Sequence, residues 1–137
     1  MVHTMTTTDE TLIAEASAAL VRVHDPAAVR VAAAVRGATG AVYLGVSLRS
    51  PRVSVCAEST AIANAKLAGE AELETIVAVG LGEDDVPRVI NPCGVCRELV
   101  PALAPGVRVL VDAGDAVVAV TSPELLPMPW VRARSYD

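Results

Sequence analysis

Three cysteines and one glutamate are the residues of this 137-residue chain whose types and spacing could do chemistry. Cys56 stands two positions before Glu58 in VCAESTAIANA (55–65), and Cys93 and Cys96 form a C-x-x-C in NPCGVCREL (91–99). Three thiols cannot pair into disulfides without a remainder. Both clusters fall at predicted helix N-termini, where free backbone N–H groups favour thiolate over thiol. If the two helices aim at a common point, three thiolates converge, a ligand set that suits zinc. A closed structural site needs a fourth protein ligand. His3 lies in the polar start and His24 at the far end of the first helix, so neither is well placed. The fourth position is then open, as in a catalytic zinc that keeps a water. Zinc lowers the pKa of such a water from about 15.7 to about 7. Glu58 could accept that proton and hand it on, as a general acid/base must. Each signal alone is weak. A lone C-x-x-C also reads as a redox pair, a zinc knuckle or two buried cysteines, and a glutamate in a first turn is common for dipole reasons.

The elements that must position these residues can be read from periodicity and turn chemistry. A helix is predicted from about Glu10 to Val23, capped by Asp9, with Leu12, Ile13, Ala16, Ala19, Leu20 and Val23 on one face. Pro26 ends it. Residues 1–8 are expected to fray. VRVAAAVRG (29–37) and AVYLGVSLR (41–49) read as two strands joined by a glycine-containing hairpin. The Cys56 helix should run to about Ala68, stopped by Gly69. TIVAVG (75–80) is continuously apolar, which suits a buried central strand. LGEDDVPRVIN (81–91) reads as a polar loop, and Pro92 then opens a helix over about Cys93–Leu103. VRVLVD (107–112) and AVVAV (116–120) are strands, SPELLP (122–127) is one helical turn, and 128–137 form an irregular tail. The expected fold is a single α/β domain over 1–137. It is a three-layer α/β/α sandwich around a mixed five-stranded sheet, with a parallel, right-handed strand–helix–strand unit within 76–111.

Composition narrows the partners. The chain is 53% hydrophobic, against a usual value of about 45–50%. The excess is alanine and valine, with two Tyr, one Trp and no Phe. A core of such small side chains leaves part of its apolar surface to be covered by further copies of the chain. A net charge of −5 argues against nucleic acid as the main ligand. The scarcity of aromatics argues against stacking on single strands. No apolar stretch approaches the roughly 18 residues of a membrane span, and MVHTMTTTDE lacks the pattern of a secretory signal. A cytoplasmic location is the expectation, in keeping with an odd number of cysteines.

The combination C-x-E before one helix and P-C-x-x-C before another, thirty-odd residues on, is similar to the zinc-deaminase signature. CAESTAIANA and NPCGVCREL resemble the cytidine deaminase family, and the likeness extends over most of the chain. TLIAEASAAL (11–20) and the nine-residue interval from Ser47 to Cys56 are most similar to its blasticidin S deaminase branch. The resemblance implies that Cys56, Cys93 and Cys96 hold zinc. It implies that Glu58 carries protons to the ring nitrogen and then to the departing amine. Water would add at C4 of a cytosine ring, ammonia would leave, and the backbone at Ala57 would contact the base. It also implies a small-molecule substrate and a homotetramer with sites at subunit contacts.

The chain departs from the family at several points. Where relatives carry Asn-x-Glu for the ribose hydroxyls it has Ser47 and Arg49. A serine can still donate a hydrogen bond, but an arginine accepts none. Arg49, with Arg52 nearby, would suit a carboxylate or phosphate on the substrate, or both are surface residues. Val29 stands about where an aromatic stacks on the base. Ser59 replaces an arginine that offsets thiolate charge, leaving Arg97 and the helix N-termini for that task. Trp130 stands where relatives place an aromatic that reaches a neighbouring subunit's site, or it caps the core or an interface. Three functions follow: deamination of a cytosine-type nucleoside, deamination of an aminonucleoside antibiotic such as blasticidin S or another aminated heterocycle, or a non-catalytic binding role with structural zinc.

Overall fold

Alternation along two strands sets the architecture. In the computed structural model, which describes residues 3–134, strand β2 (Val31–Gly37) carries the run Ala32-Ala33-Ala34-Val35, every residue of which is fully buried. Successive side chains of a strand point to opposite faces. Ala33 and Val35 therefore enter one core and Ala32 and Ala34 another. Strand β6 (Leu73–Leu81) does the same, with Ile76 and Ala78 on the first face and Val77 and Val79 on the second. Helix α1 (Thr7–Val23) covers the second face through Leu12, Ala16, Ala19 and Leu20. Helices α2 (Ala57–Leu67) and α3 (Gly94–Leu103) cover the first through Ala57, Ala61, Ile62, Ala65, Cys96 and Val100. The result is the expected three-layer α/β/α sandwich.

The five anticipated strands form the body of the mixed sheet: β3 (Val42–Val46), β2, β6, β8 (Arg108–Asp112) and β9 (Val117–Thr121). Among the described strands only β6 and β8 pair in parallel, across α3 as predicted. Two short strands add to this body. β1 (His3–Thr4) pairs with β9, so the start that the sequence suggested would fray is part of the sheet from residue 3. β7 (Pro87–Ile90) lies within the stretch read as a polar loop. It folds back on β6 through a turn in which Gly82 N donates to Val86 O and Asp85 adopts φ 60°. Aspartate tolerates that left-handed conformation. β8 and β7 share one edge of β6, the first opposite Thr75 and Ile76, the second opposite 78–81.

Three local expectations are corrected. Thr6, not Asp9, is the N-cap of α1. The Thr6 hydroxyl accepts from Asp9 N, and the Asp9 carboxylate accepts from Thr6 N, a reciprocal capping box that starts the helix three residues early. The stretch 41–49 is not one strand. It breaks at Ser47, and Leu48–Arg49 (β4) pairs with Ser54–Val55 (β5) in a two-stranded ribbon beside the main sheet. Val29 is drawn into a turn that it closes with Asp25. SPELLP contributes one short helix, α4 (Ser122–Leu125), and residues 126–134 hold no regular element. Among the described residues no helix is long and apolar enough to cross a membrane.

Candidate active site

The two helices that carry the cysteines begin at the same place. Cys56 is the N-cap of α2 and Cys93 the N-cap of α3, both with extended backbone. Neither side chain makes a capping hydrogen bond. Their Sγ atoms lie 3.8 Å apart, and with Cys96 Sγ all three sulfurs fall within 4.8 Å of one another. Tetrahedral zinc with bonds of about 2.3 Å separates its sulfur ligands by about 3.8 Å, so the spacing fits that ion. No histidine or carboxylate joins the three as a fourth ligand among the described residues. Neither His3 nor His24 belongs to this group.

Helix α2 is held to β3 by three contacts. Asn64 Nδ2 donates to Leu44 O at 3.1 Å, and Thr60 Oγ1 donates to Val46 O at 2.9 Å. Between them Gly45 lets the backbones meet: a Cβ there would lie 2.2 Å from Ala61 N and 2.6 Å from Ala57 O. Ser59, in the place of the missing arginine, donates its hydroxyl to Cys56 O. On the other side, the Asn91 side chain pairs with both backbone groups of Asp112, fixing the approach to Pro92 and Cys93. Arg97 is engaged by backbone carbonyls. Its Nε donates to Pro92 O and its Nη1 to Leu125 O, so it ties the loop before α3 to α4.

The electrostatics separate the three thiols. Burial pushes the Cys56 thiol up, with the Cys96 thiol partly opposing. Cys96, which is only 1% exposed, is pushed up by burial and then by the charge of Glu58. Cys93 goes the other way. Burial works to raise it, but the N–H of Cys96, the thiols of Cys56 and Cys96 and the N–H of Val95 together bring it below its ordinary value. Glu58 is 7% exposed, and burial raises its carboxyl despite its own backbone N–H and the Cys96 thiol. It is thereby biased toward holding a proton, the state a proton carrier needs for half of its cycle.

Cys56, Cys93 and Glu58 open onto a cleft of ≈ 390 Å³, a size typical of small-molecule sites. Cys56, Ala57, Glu58 and Cys93 line one wall, and Ser47 and Arg49 another. The Ser47 hydroxyl accepts from Arg30 N at 3.2 Å and Val31 N at 3.0 Å. This explains the break in the strand: a side-chain oxygen takes over from the backbone ladder. Sequence reasoning missed Arg30, which also lines the cleft, and placed Val29 where Val31 stands. The only signal for Arg30 was its position one residue before β2. Arg52 does not line the cleft. Trp130 is 70% exposed and outside it; its ring lies 5.6 Å from the Arg132 guanidinium, and its backbone N–H donates to Glu98 Oε1.

Comparison with known proteins agrees with this geometry. Residues 6–111 match the family model described as the cytidine and deoxycytidylate deaminase zinc-binding region. Blasticidin-S deaminase of Bacillus cereus is 40% identical over 108 residues, covering 74% of this chain and 77% of that protein. A cytidine deaminase of Shewanella pealeana is 31% identical over 96 residues, 67% of this chain but 29% of its own length. Among solved structures, cytidine deaminase from Burkholderia pseudomallei superposes with a TM-score of 0.71 at 27% identity, covering 92% of this chain and all (100%) of that one. The Mycobacterium leprae enzyme gives 0.71 at 24% identity, over 87% and 97%. The chain therefore belongs to the cytidine and deoxycytidylate deaminase family of zinc-dependent hydrolytic deaminases.

Proposed function

We propose that the protein deaminates a cytosine-type nucleoside or nucleoside analogue, with Cys56, Cys93 and Cys96 as zinc ligands and Glu58 as the catalytic acid/base. The observation that carries this reading is the buried Glu58 carboxyl beside a three-sulfur cluster, with neither a cation for the one nor a fourth protein ligand for the other among the described residues. Zinc in that cluster would supply Lewis acidity and lower the pKa of water at the open position. Glu58 takes one proton from the attacking water and delivers it to the ring nitrogen beside C4. It then carries the second proton to the amine as the C4–N bond breaks, so that ammonia leaves and a carbonyl remains. The cleft wall at Ala57 and Val31 excludes water from the base, and Ser47 and Arg49 face the part of the substrate beyond it.

A second reading keeps the chemistry and changes the substrate to an aminonucleoside antibiotic of the blasticidin S type. The 40% identity to a blasticidin-S deaminase supports it, as does an arginine at position 49 where a ribose 3′-hydroxyl would want an acceptor. An ammonia-release screen of the zinc-loaded protein with cytidine, deoxycytidine, their phosphates and blasticidin S separates the two. Chelation should abolish release with every substrate and zinc should restore it. Turnover by a metal-free protein would refute both readings.

We further propose that the protein works as a homo-oligomer, with a tetramer as the expected state. Leu48, Val53 and Val55 leave 50%, 65% and 36% of their surfaces exposed on the ribbon next to the cleft, and Trp130 leaves 70%. Light scattering should give four times the 14.1 kDa chain mass. A monomer at working concentration would overturn this proposal and leave Trp130 without a role.

A further inference from the structure

We propose that Arg30 and Arg49 form an anion subsite at the mouth of the cleft, so that the preferred substrate bears a carboxylate or phosphate remote from its amino group. This inference rests on the deaminase reading of the adjacent cysteine–glutamate site. It goes beyond that reading by adding Arg30 and by assigning a charge to the substrate.

Geometry on both backbone segments supports it. The stretches 28–31 and 47–49 run side by side, joined by Arg49 N to Ala28 O at 2.9 Å and Ser47 N to Val31 O at 2.9 Å. Ser47 Oγ adds its two bonds to the amides of Arg30 and Val31. Arg49 is further fixed by its pairing with Ser54 across the ribbon. Both arginines thus sit on braced backbone, and both line the cleft that contains Glu58 and Cys56. Arg30 Nε donates to Pro26 O at 2.6 Å, which orients the guanidinium and leaves its terminal nitrogens without a protein partner among the described residues. The Arg49 guanidinium has no such partner either.

The charge distribution makes this more than a pair of surface arginines. The chain holds 16 acidic residues against 11 basic ones, and Arg36, Arg88, Arg97 and Arg108 each commit a terminal guanidinium nitrogen to a carbonyl or a carboxylate, which Arg30 and Arg49 do not among the described residues. At the cleft the balance reverses, with two guanidiniums and a single carboxyl, Glu58, which stands on the wall beside the sulfurs. Guanidinium forks match carboxylate and phosphate in a paired geometry, and they offer nothing to a neutral hydroxyl that needs an acceptor. Arg52, on the ribbon turn but outside the cleft, is the natural control.

The test uses initial rates of ammonia release by the zinc-loaded protein on cytidine, cytidine 5′-monophosphate and the 5′-carboxylate analogue of cytidine. At least one anionic substrate should exceed cytidine in kcat/KM by about tenfold or more, and which one does so identifies the anion. In the double variant Arg30→Gln/Arg49→Gln that ratio should fall to within about twofold of unity, while Arg52→Gln should keep it. Equal or better turnover of cytidine by the unaltered protein would overturn the subsite. So would a ratio that the double variant leaves in place. If neither these compounds nor blasticidin S is deaminated, the deaminase reading fails, and the subsite is then decided by a measurement that needs no turnover. The Arg Nε–H resonances are followed by NMR during titration with inorganic phosphate and, separately, acetate. Arg30 and Arg49 should saturate at concentrations about tenfold below Arg52; a common, unsaturating response of all three would overturn the proposal.

Discussion

Asp9 and Glu58 occupy the first turns of two helices, both are buried, and their surroundings treat them in opposite ways. Asp9 is wholly buried and accepts two parallel bonds of 2.9 Å from Arg108 and one from Thr6 N. The Arg108 bonds bring its carboxyl down from 3.8 to about 2, against the opposing effect of burial. Arg108 is itself held by Thr75 Oγ1 at 2.9 Å. Glu58 has no basic partner among the described residues, and burial pushes its carboxyl up. A paired buried carboxylate joins the two ends of a fold, here α1 and β8. An unpaired one is costly to keep charged, and such groups concentrate where a proton must be moved. The comparison separates structure from chemistry more sharply than burial or helix position does.

The largest effect should come from Glu58→Gln. Turnover should fall by about 10²–10⁴-fold, with one zinc per chain retained by metal analysis and a melting temperature no lower than that of the parent. A mutant that loses its zinc would make Glu58 structural and erase the contrast. Asp9→Asn should do the reverse. Denaturant unfolding should show a loss of about 3 kcal/mol, because the partly buried Arg108 keeps its charge without a counter-charge. The rate per folded, zinc-loaded molecule should stay within about twofold, since Asp9 lies outside the cleft. A smaller effect is expected from acid. A carboxyl whose folded pKa is depressed contributes stability above its unfolded value and loses it as pH falls through the folded one. From 3.8 to about 2, Asp9 should contribute about 2 kcal/mol that disappears between about pH 4 and pH 2. Asp9→Asn should flatten that part of the stability–pH curve. The smallest effect belongs to Ser47→Ala, which removes the acceptor of two backbone N–H groups. A stability loss of about 1 kcal/mol is expected, with a raised KM if the segment that carries Arg30 shifts.

The same pair shows what could be read from the chain and what could not. Glu58 and the three cysteines were legible because their spacing is local and helix starts announce themselves. The five main strands of the sheet were legible from their apolar runs, and the parallel β6–β8 pair from the helix between them. Asp9 was placed at the helix start but given the wrong task. Thr6 and Asp9 share a capping box that reads equally well from either member, and the decisive partner, Arg108, lies 99 residues away. β7 was hidden by the polar turn that makes its hairpin possible. Arg30 escaped notice because its place in the cleft comes from Ser47 crossing to the 30–31 amides, a contact 16 and 17 residues apart that no local pattern encodes.

Gly45 has a bearing on how the enzyme can change. Any side chain there would strike the backbone of α2 at Ala57 and Ala61 and lever the start of that helix, with Cys56 and Glu58, away from the cysteines of α3. The position is closed to substitution by geometry, whatever the substrate. Arg30, Arg49 and Ser54 stand on other segments, with side chains at the open side of the cleft, and can be exchanged without moving α2. Directed evolution toward new substrates should therefore gather its changes on the 28–31 segment and the 48–55 ribbon, and every active clone should keep a glycine at 45.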